Sequence, residues 1–189
     1  MHKLLVSYER GGSMKQRSIL WQAAGFAVAT FGGTILHFLY DWTGGNILVS
    51  SFSGVNESTW EHMKLLFWPL FLFALVQRLF FKEQDNYWCV KLAEILLGLV
   101  LIPVLFYTYN GVFGKSPDWV NIAIFYITAA LVFLFEWWAF KNNRLQCNHP
   151  RLAFAAICLI GVLFVVFTFE PPQIPLFQDP LTGTYGMGR

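Results

Sequence analysis

Residues 87–107 read YWCVKLAEILLGLVLIPVLFY, a run whose only charges are Lys91 and Glu94. About 20 residues of helix cross about 30 Å of hydrocarbon, so the run is long enough to span a bilayer. Four other runs meet the same length: Ile19 to Trp42, Trp60 to Phe81, Trp119 to Phe140 and Leu152 to Phe169. Lipid offers no partner to an unpaired backbone amide, so such runs are expected to be helical. The predicted fold class is all-α, a polytopic membrane bundle of five transmembrane helices. Residues 1–17 would form an N-terminal tail, 18–170 the transmembrane domain, and 171–189 a tail folded back over the mouth of the bundle.

Composition agrees. Of 189 residues, 56% are hydrophobic, 19% aromatic and only 13% charged, too few charges to cover a soluble domain of this size. The formal charge of +2 and the absence of a basic tract interleaved with aromatics exclude a nucleic-acid partner and leave the lipid bilayer as the expected surrounding. The first 17 residues lack a signal-peptide core, so the first run is expected to remain as an anchor. Met14 opens a shorter chain, with residues 1–13 expected to be untranslated.

Lysine and arginine set the predicted orientation. Lys3, Arg10, Lys15, Arg17, Arg78, Lys82, Lys91, Lys141, Arg144 and Arg151 fall on one side of the bundle, and Lys64, Lys115 and Arg189 on the other. The N-terminus is therefore expected inside a bacterial plasma membrane and the C-terminus outside. Tryptophans near the span ends, among them Trp21, Trp42, Trp60, Trp88, Trp119, Trp137 and Trp138, suit interfacial belts. Cys89, Cys147 and Cys158 show no CxxC spacing and would lie on the reducing side, so no disulfide is expected.

Hydrophobicity does not account for residues 37–64, HFLYDWTGGNILVSSFSGVNESTWEHMK. His37 and Asp41 share a helix face, continued by Ala23, Ala27, Thr30, Gly33 and Thr34, a small and polar stripe suited to close helix packing. Ser58 and Glu61 fit a capping box, Glu57, Glu61 and Lys64 fall on one helical stripe, and His62 on the next. Ionisable groups at a membrane edge are costly unless paired, hydrated or used. Their coincidence points to an outward-facing site: Glu57, Glu61 and His62 as acid/base or catalytic groups, His37, Glu61 and His62 as ligands of a divalent metal, and Asp41, Lys64, Asp179 and Tyr185 as substrate-binding groups. The plain alternative is that the carboxylates serve the helix dipole and cap, with Glu61 and Lys64 an ordinary ion pair and Asp179 in a self-contained turn.

Deeper in the chain, Lys91 and Glu94 are expected to form an intrahelical pair, with a proton relay as the sharper alternative. Glu136 is expected at the interface near Lys141. Tyr109, Asn110 and Gly111 read as a turn, and Asp118 as an N-cap.

At HFLYDWTG (37–44), GVNESTWEHMKL (54–65) and DPLTGTYG (179–186) the chain resembles a family of small bacterial integral membrane proteins, found mainly in Gram-positive lineages, for which no activity is established. The resemblance runs from Met14 over most of the chain and implies a plasma-membrane bundle without assigning a reaction. Three functions stay open. One is a membrane-embedded hydrolase or transferase acting on a lipid or envelope substrate. The second is a small ion-coupled transporter using Glu94. The third is an assembly subunit whose outer loops meet a protein partner or a second copy of the chain.

Overall fold

The computed structural model describes residues 2–82 and 84–187, with the side chains of residues 2–18 excepted. Expectations placed on the side chains of Lys3, Arg10, Lys15 and Arg17, on a start at Met14, and on Arg189 therefore lie outside the described residues. The described chain forms α1 (His2–Trp42), α2 (Ile47–Ser50), α3 (Thr59–Arg78), α4 (Tyr87–Phe113), α5 (Asp118–Lys141) and α6 (Pro150–Phe169), then a 3₁₀ turn at Pro175–Phe177. It contains no β-strand; a single isolated bridge pairs Gln178 with Tyr185.

Among the described residues, four helical segments are long and apolar enough to cross a membrane: Ile19–Trp42, Tyr87–Phe113, Asp118–Lys141 and Pro150–Phe169. The second of the five expected runs, Trp60 to Phe81, is not among them. Glu61, His62 and Lys64 in the first two turns of α3 dilute its apolar character. This helix is the axis of the bundle. It packs on α1, α4 and α6 and also touches α5 and the 3₁₀ turn, with 13 of its 20 residues buried. A helix sheathed by protein can carry charges that a lipid-facing helix cannot, provided they find partners.

Close packing of α1 on α3 and α5 rests on small residues. A Cβ on Gly33 would lie 2.4 Å from the Phe125 ring and 3.1 Å from the Leu65 carbonyl oxygen, and one on Gly32 would lie 3.1 Å from the Pro69 ring. Pro69 has no N–H to offer Leu65 four residues earlier, so that carbonyl faces the glycine of the neighbouring helix instead. The expected stripe is rotated: Thr30 and Gly33 are buried, but Ala23 and Thr34 are exposed, and the packed face runs through Gly25, Ala29, Gly32 and Gly33.

Several local expectations are corrected. Tyr109, Asn110 and Gly111 are helical; α4 ends at Gly114, whose φ of +84° suits a residue without a Cβ. The N-cap of α5 is Pro117, with Asp118 in the first turn. Glu136 is not interfacial. It is fully buried, its carboxylate 2.6 Å from Lys91 Nζ, which also holds Glu94 at 2.9 Å. With its amide in the better-satisfied orientation, Gln22 of α1 donates to Glu136 at 2.8 Å. The expected Lys91–Glu94 pair is thus half of a buried triad linking α4 and α5.

The expectation of reduced cysteines is also overturned, because Cys89 and Cys147 form a disulfide between the start of α4 and the α5–α6 loop. Their sequence separation of 58 carries no spacing signal; the fold alone brings their Cα atoms to 5.7 Å. The same loop is tied down by Asn86, whose side-chain amide donates to the Arg144 carbonyl at 2.7 Å. Cys158 is free.

Candidate functional site

The ends of α1, α4 and α6 and the starts of α3 and α5 meet at one end of the bundle, where the sequence concentrates its polar groups. The connection from α1 to α3 is stitched into α1. Ser53 Oγ accepts from Tyr40 N at 2.9 Å and donates to the Leu36 carbonyl, the two groups that an undisturbed helix would bond to each other. Gly54 N also donates to Leu36 O, at 3.2 Å. His37 lies in this opened turn, its Nδ1 beside Gly54.

On the other side of the gap, Ser58 caps α3 by accepting from Glu61 N at 3.3 Å. His62, one turn in, directs Nδ1 at the Ser58 carbonyl at 3.0 Å. A carbonyl only accepts, so Nδ1 carries the proton and Nε2 keeps its lone pair for the gap. Glu57 precedes the cap, where the backbone is not helical. The stripe expected to align Glu57 with Glu61 therefore breaks, and the two carboxylates go opposite ways.

Glu57 turns into the gap. Its two carboxylate oxygens lie 3.6 Å from His37 Nε2 and 3.5 Å from His62 Nε2, and the imidazole centroids are 5.8 Å apart. One donor atom from each residue can be chosen so that all three lie within 4.8 Å of one another, and all three side chains are part-exposed. Glu61 turns the other way: its Oε2 pairs with Lys64 and accepts from Val55 N at 3.1 Å. Lys64, fully buried, donates also to Ser50 O at 2.9 Å and to Thr168 Oγ1 of α6 at 2.8 Å. Glu61 and Lys64 thus clamp the loop and α6 to α3, and neither faces the gap. Their interior ion pair is satisfied on each side, as burial requires.

The remaining expected residues divide. Asp41 is exposed and outside the trio. Asp179 is buried in its own turn, accepting from Leu181 N at 2.8 Å and Thr182 Oγ1 at 3.0 Å. Tyr185 packs against the core. The segment after α6 is nonetheless docked over this end. Phe177 contacts Trp60 and Phe167, with ring centroids at 4.6 and 5.5 Å, and the Asn56 amide donates to Gly186 O at 2.8 Å.

His37, Glu57 and His62 form part of the wall of a cavity of about 500 Å³. Its floor is apolar, with Gly33, Leu65, Phe106 and Phe125; its rim holds Lys115, Ser116, Asp118 and Asn121 from the α4–α5 connection, and Pro180 and Leu181 from the tail. The α4–α5 contribution was not anticipated. Ser116 is held by Asn110 Oδ1, which accepts from its N–H at 2.8 Å, and donates to Asn121 Oδ1 at 2.7 Å. The sequence signal available was the polar run KSPDWVN (115–121) between two apolar helices.

Long apolar helices around a charged central helix, with a cavity of apolar floor and polar rim at one end, define an integral membrane helical protein. The chain belongs to the family of unknown function DUF6512, whose model matches residues 12–187. A 57-residue stretch, 30% of this chain, is 37% identical to dipeptide and tripeptide permease B of Xenorhabdus bovienii, and spans only 12% of that protein. No solved structure matches.

Proposed function

We propose that His37, Glu57 and His62 hold a divalent transition metal, zinc being the natural occupant, and that the protein is a membrane-embedded, metal-dependent hydrolase or transferase acting on a lipid or envelope substrate. One observation carries this. The carboxylate stands 3.5–3.6 Å from both imidazole Nε2 atoms. That exceeds the usual 2.7–3.2 Å of a direct hydrogen bond, and it is close to the separation of about 3.4 Å between neighbouring ligands on a tetrahedral zinc with bonds of about 2.1 Å.

Two histidines and a glutamate are also a known catalytic zinc set, which leaves a fourth position for water or substrate. The Ser58 carbonyl on His62 Nδ1 supplies the outer support that such histidines have. A metal here would act as a Lewis acid toward an oxygen of a substrate in the cavity. Glu57 is assigned as ligand rather than acid/base group, and Glu61 and Lys64 position the loop that carries it.

The orientation proposed is site end outward. Arg78, Lys82, Lys141, Arg144 and Arg151 gather at the opposite end, as cytoplasmic flanks do. With α3 counted as a protein-sheathed fifth crossing, the N-terminus is inside, the C-terminus outside, and the membrane is the bacterial plasma membrane.

Metal analysis of protein purified in detergent without chelators tests this. About one metal per chain is expected, falling to near zero in His37→Ala, Glu57→Ala and His62→Ala and unchanged in Asp41→Asn. Wild-type protein that neither retains nor takes up zinc, manganese or cobalt sinks the proposal.

The transporter alternative has the buried Lys91 triad and the partial permease likeness in its favour. Against it, Phe73 and Phe133 surround Lys91 Nζ, and eleven residues of α3, about 16 Å, separate that level from His62. Buried Leu66, Leu70, Leu99 and Val132 fill the space between.

A further inference from the structure

The geometry points to a phospholipid of the surrounding bilayer as the molecule this cavity takes, its acyl chain entering between α1 and α5 and its phosphate read by Lys115. The inference deepens the reading above, but it rests on the cavity and its opening and not on the metal.

The opening is visible in which residues are both lining and surface. Phe38 of α1 and Ile122 and Tyr126 of α5 line the cavity, yet are 44%, 58% and 39% exposed. All three lie in segments able to cross a membrane, so the surface they share with the cavity faces hydrocarbon. The cavity is therefore open sideways, toward lipid, between two helices. Its depth is set by the exposed Trp42, one turn beyond Phe38, and the exposed Trp119, one turn before Ile122. Tryptophan favours the headgroup boundary, so the gap lies at the level of the glycerol and the first chain carbons.

Inside, the surfaces are sorted as a lipid would need. Gly33, Leu65, Phe106 and Phe125 offer an apolar bed for a chain. Above it, Asn110, Ser116 and Asn121 satisfy one another, while Lys115 is exposed on the rim with no acid paired to it among the described residues. A free ammonium at the headgroup level, over an apolar slot, suits a phosphate carrying an acyl chain. The His37–Glu57–His62 trio stands in the same wall, so a lipid seated this way presents its ester or phosphoester oxygens to that trio.

The test uses the full chain in detergent, washed free of annular lipid, with binding read by native mass spectrometry. Dioleoylphosphatidylglycerol is expected to bind at one per chain, and dioleoylglycerol, which lacks phosphate, at least tenfold more weakly. Glycerol phosphate, which lacks chains, should not compete at millimolar concentration. Thr34→Trp with Ile122→Trp, both exposed positions at the opening, should reduce phosphatidylglycerol occupancy at least fivefold with metal content unchanged; His62→Ala should lose metal and keep the lipid. Lys115→Gln should abolish the preference for phosphatidylglycerol over dioleoylglycerol. Full lipid retention in the double tryptophan variant, competition by glycerol phosphate alone, or equal binding of the two lipids to wild type would each overturn the inference. Metal loss in the tryptophan variant would overturn its independence from the metal site.

Discussion

Replacing Lys91 by methionine should be among the most damaging single changes in this protein. Lys91 Nζ bridges Glu94 at 2.9 Å and Glu136 at 2.6 Å, and all three side chains are essentially without exposure. Methionine fills similar volume, so the packing loss is small. What changes is that two carboxylates on α4 and α5 face each other without a cation, and Glu94 Oε1 already has no hydrogen-bond partner. Removing one member of a buried ion set costs about 3–5 kcal/mol, because the remaining charge is stranded in a medium that solvates it poorly. For a chain of this size, about 2–4 °C of melting temperature accompanies each kcal/mol, so a drop of roughly 6–20 °C is expected. Thermal unfolding in detergent, followed by circular dichroism, measures it. The triple variant Lys91→Met, Glu94→Gln, Glu136→Gln should regain most of the loss, since replacing a whole buried ion set is often near neutral. A single variant melting within about 2 °C of wild type, or a triple variant worse than the single, would refute the assignment of the triad as an ionic link between α4 and α5.

Other expectations concern the site end and the opposite loop. Ser53→Ala removes the hydroxyl that bridges Tyr40 N and Leu36 O, and should cost about 1–3 kcal/mol in the same melt while weakening zinc binding in competitive titration. Normal zinc affinity with the melt lowered would detach His37 from that bridge. Asn56→Ala should free the tail from the site end and speed protease cleavage after α6, read by mass spectrometry; unchanged cleavage would show that the Phe177 contacts alone secure it. Reducing the Cys89–Cys147 disulfide, which ties the α5–α6 loop to the start of α4, should cost about 2–4 kcal/mol in the same melt. An unchanged melt would show that the Asn86 bond to the Arg144 carbonyl holds the loop alone.

The bundle was legible because lipid imposes a single strong rule, runs of about 20 apolar residues, and that rule located five long helices within a few residues at most ends. Trp60 to Phe81 is less apolar than the other four runs because α3, packed among α1, α4, α5 and α6, carries Glu61, His62 and Lys64 in its first two turns. His37 and His62 were legible as cluster members because each is a costly group near a span end. Glu61 departs from the expected common face for a geometric reason. Helical periodicity continued back through Glu57 aligns the two acids, but Glu57 lies beyond the cap and the turn at Ser58 separates them. Glu136 joining Lys91, and Cys89 joining Cys147, are long-range pairings that no local spacing encodes. The Lys115–Asn121 rim was missed because a short polar connection looks the same whether it is idle or folded over a cavity.

The trio and the cavity it borders draw on α1, on the segment ahead of α3, on the α4–α5 connection and, through Pro180 and Leu181, on residues that follow the last long helix. During synthesis the first histidine therefore waits in the bilayer while well over a hundred further residues are made before the roof arrives. Until then the cavity lacks the part of its wall that Pro180 and Leu181 supply, so it is among the last features of the fold to close.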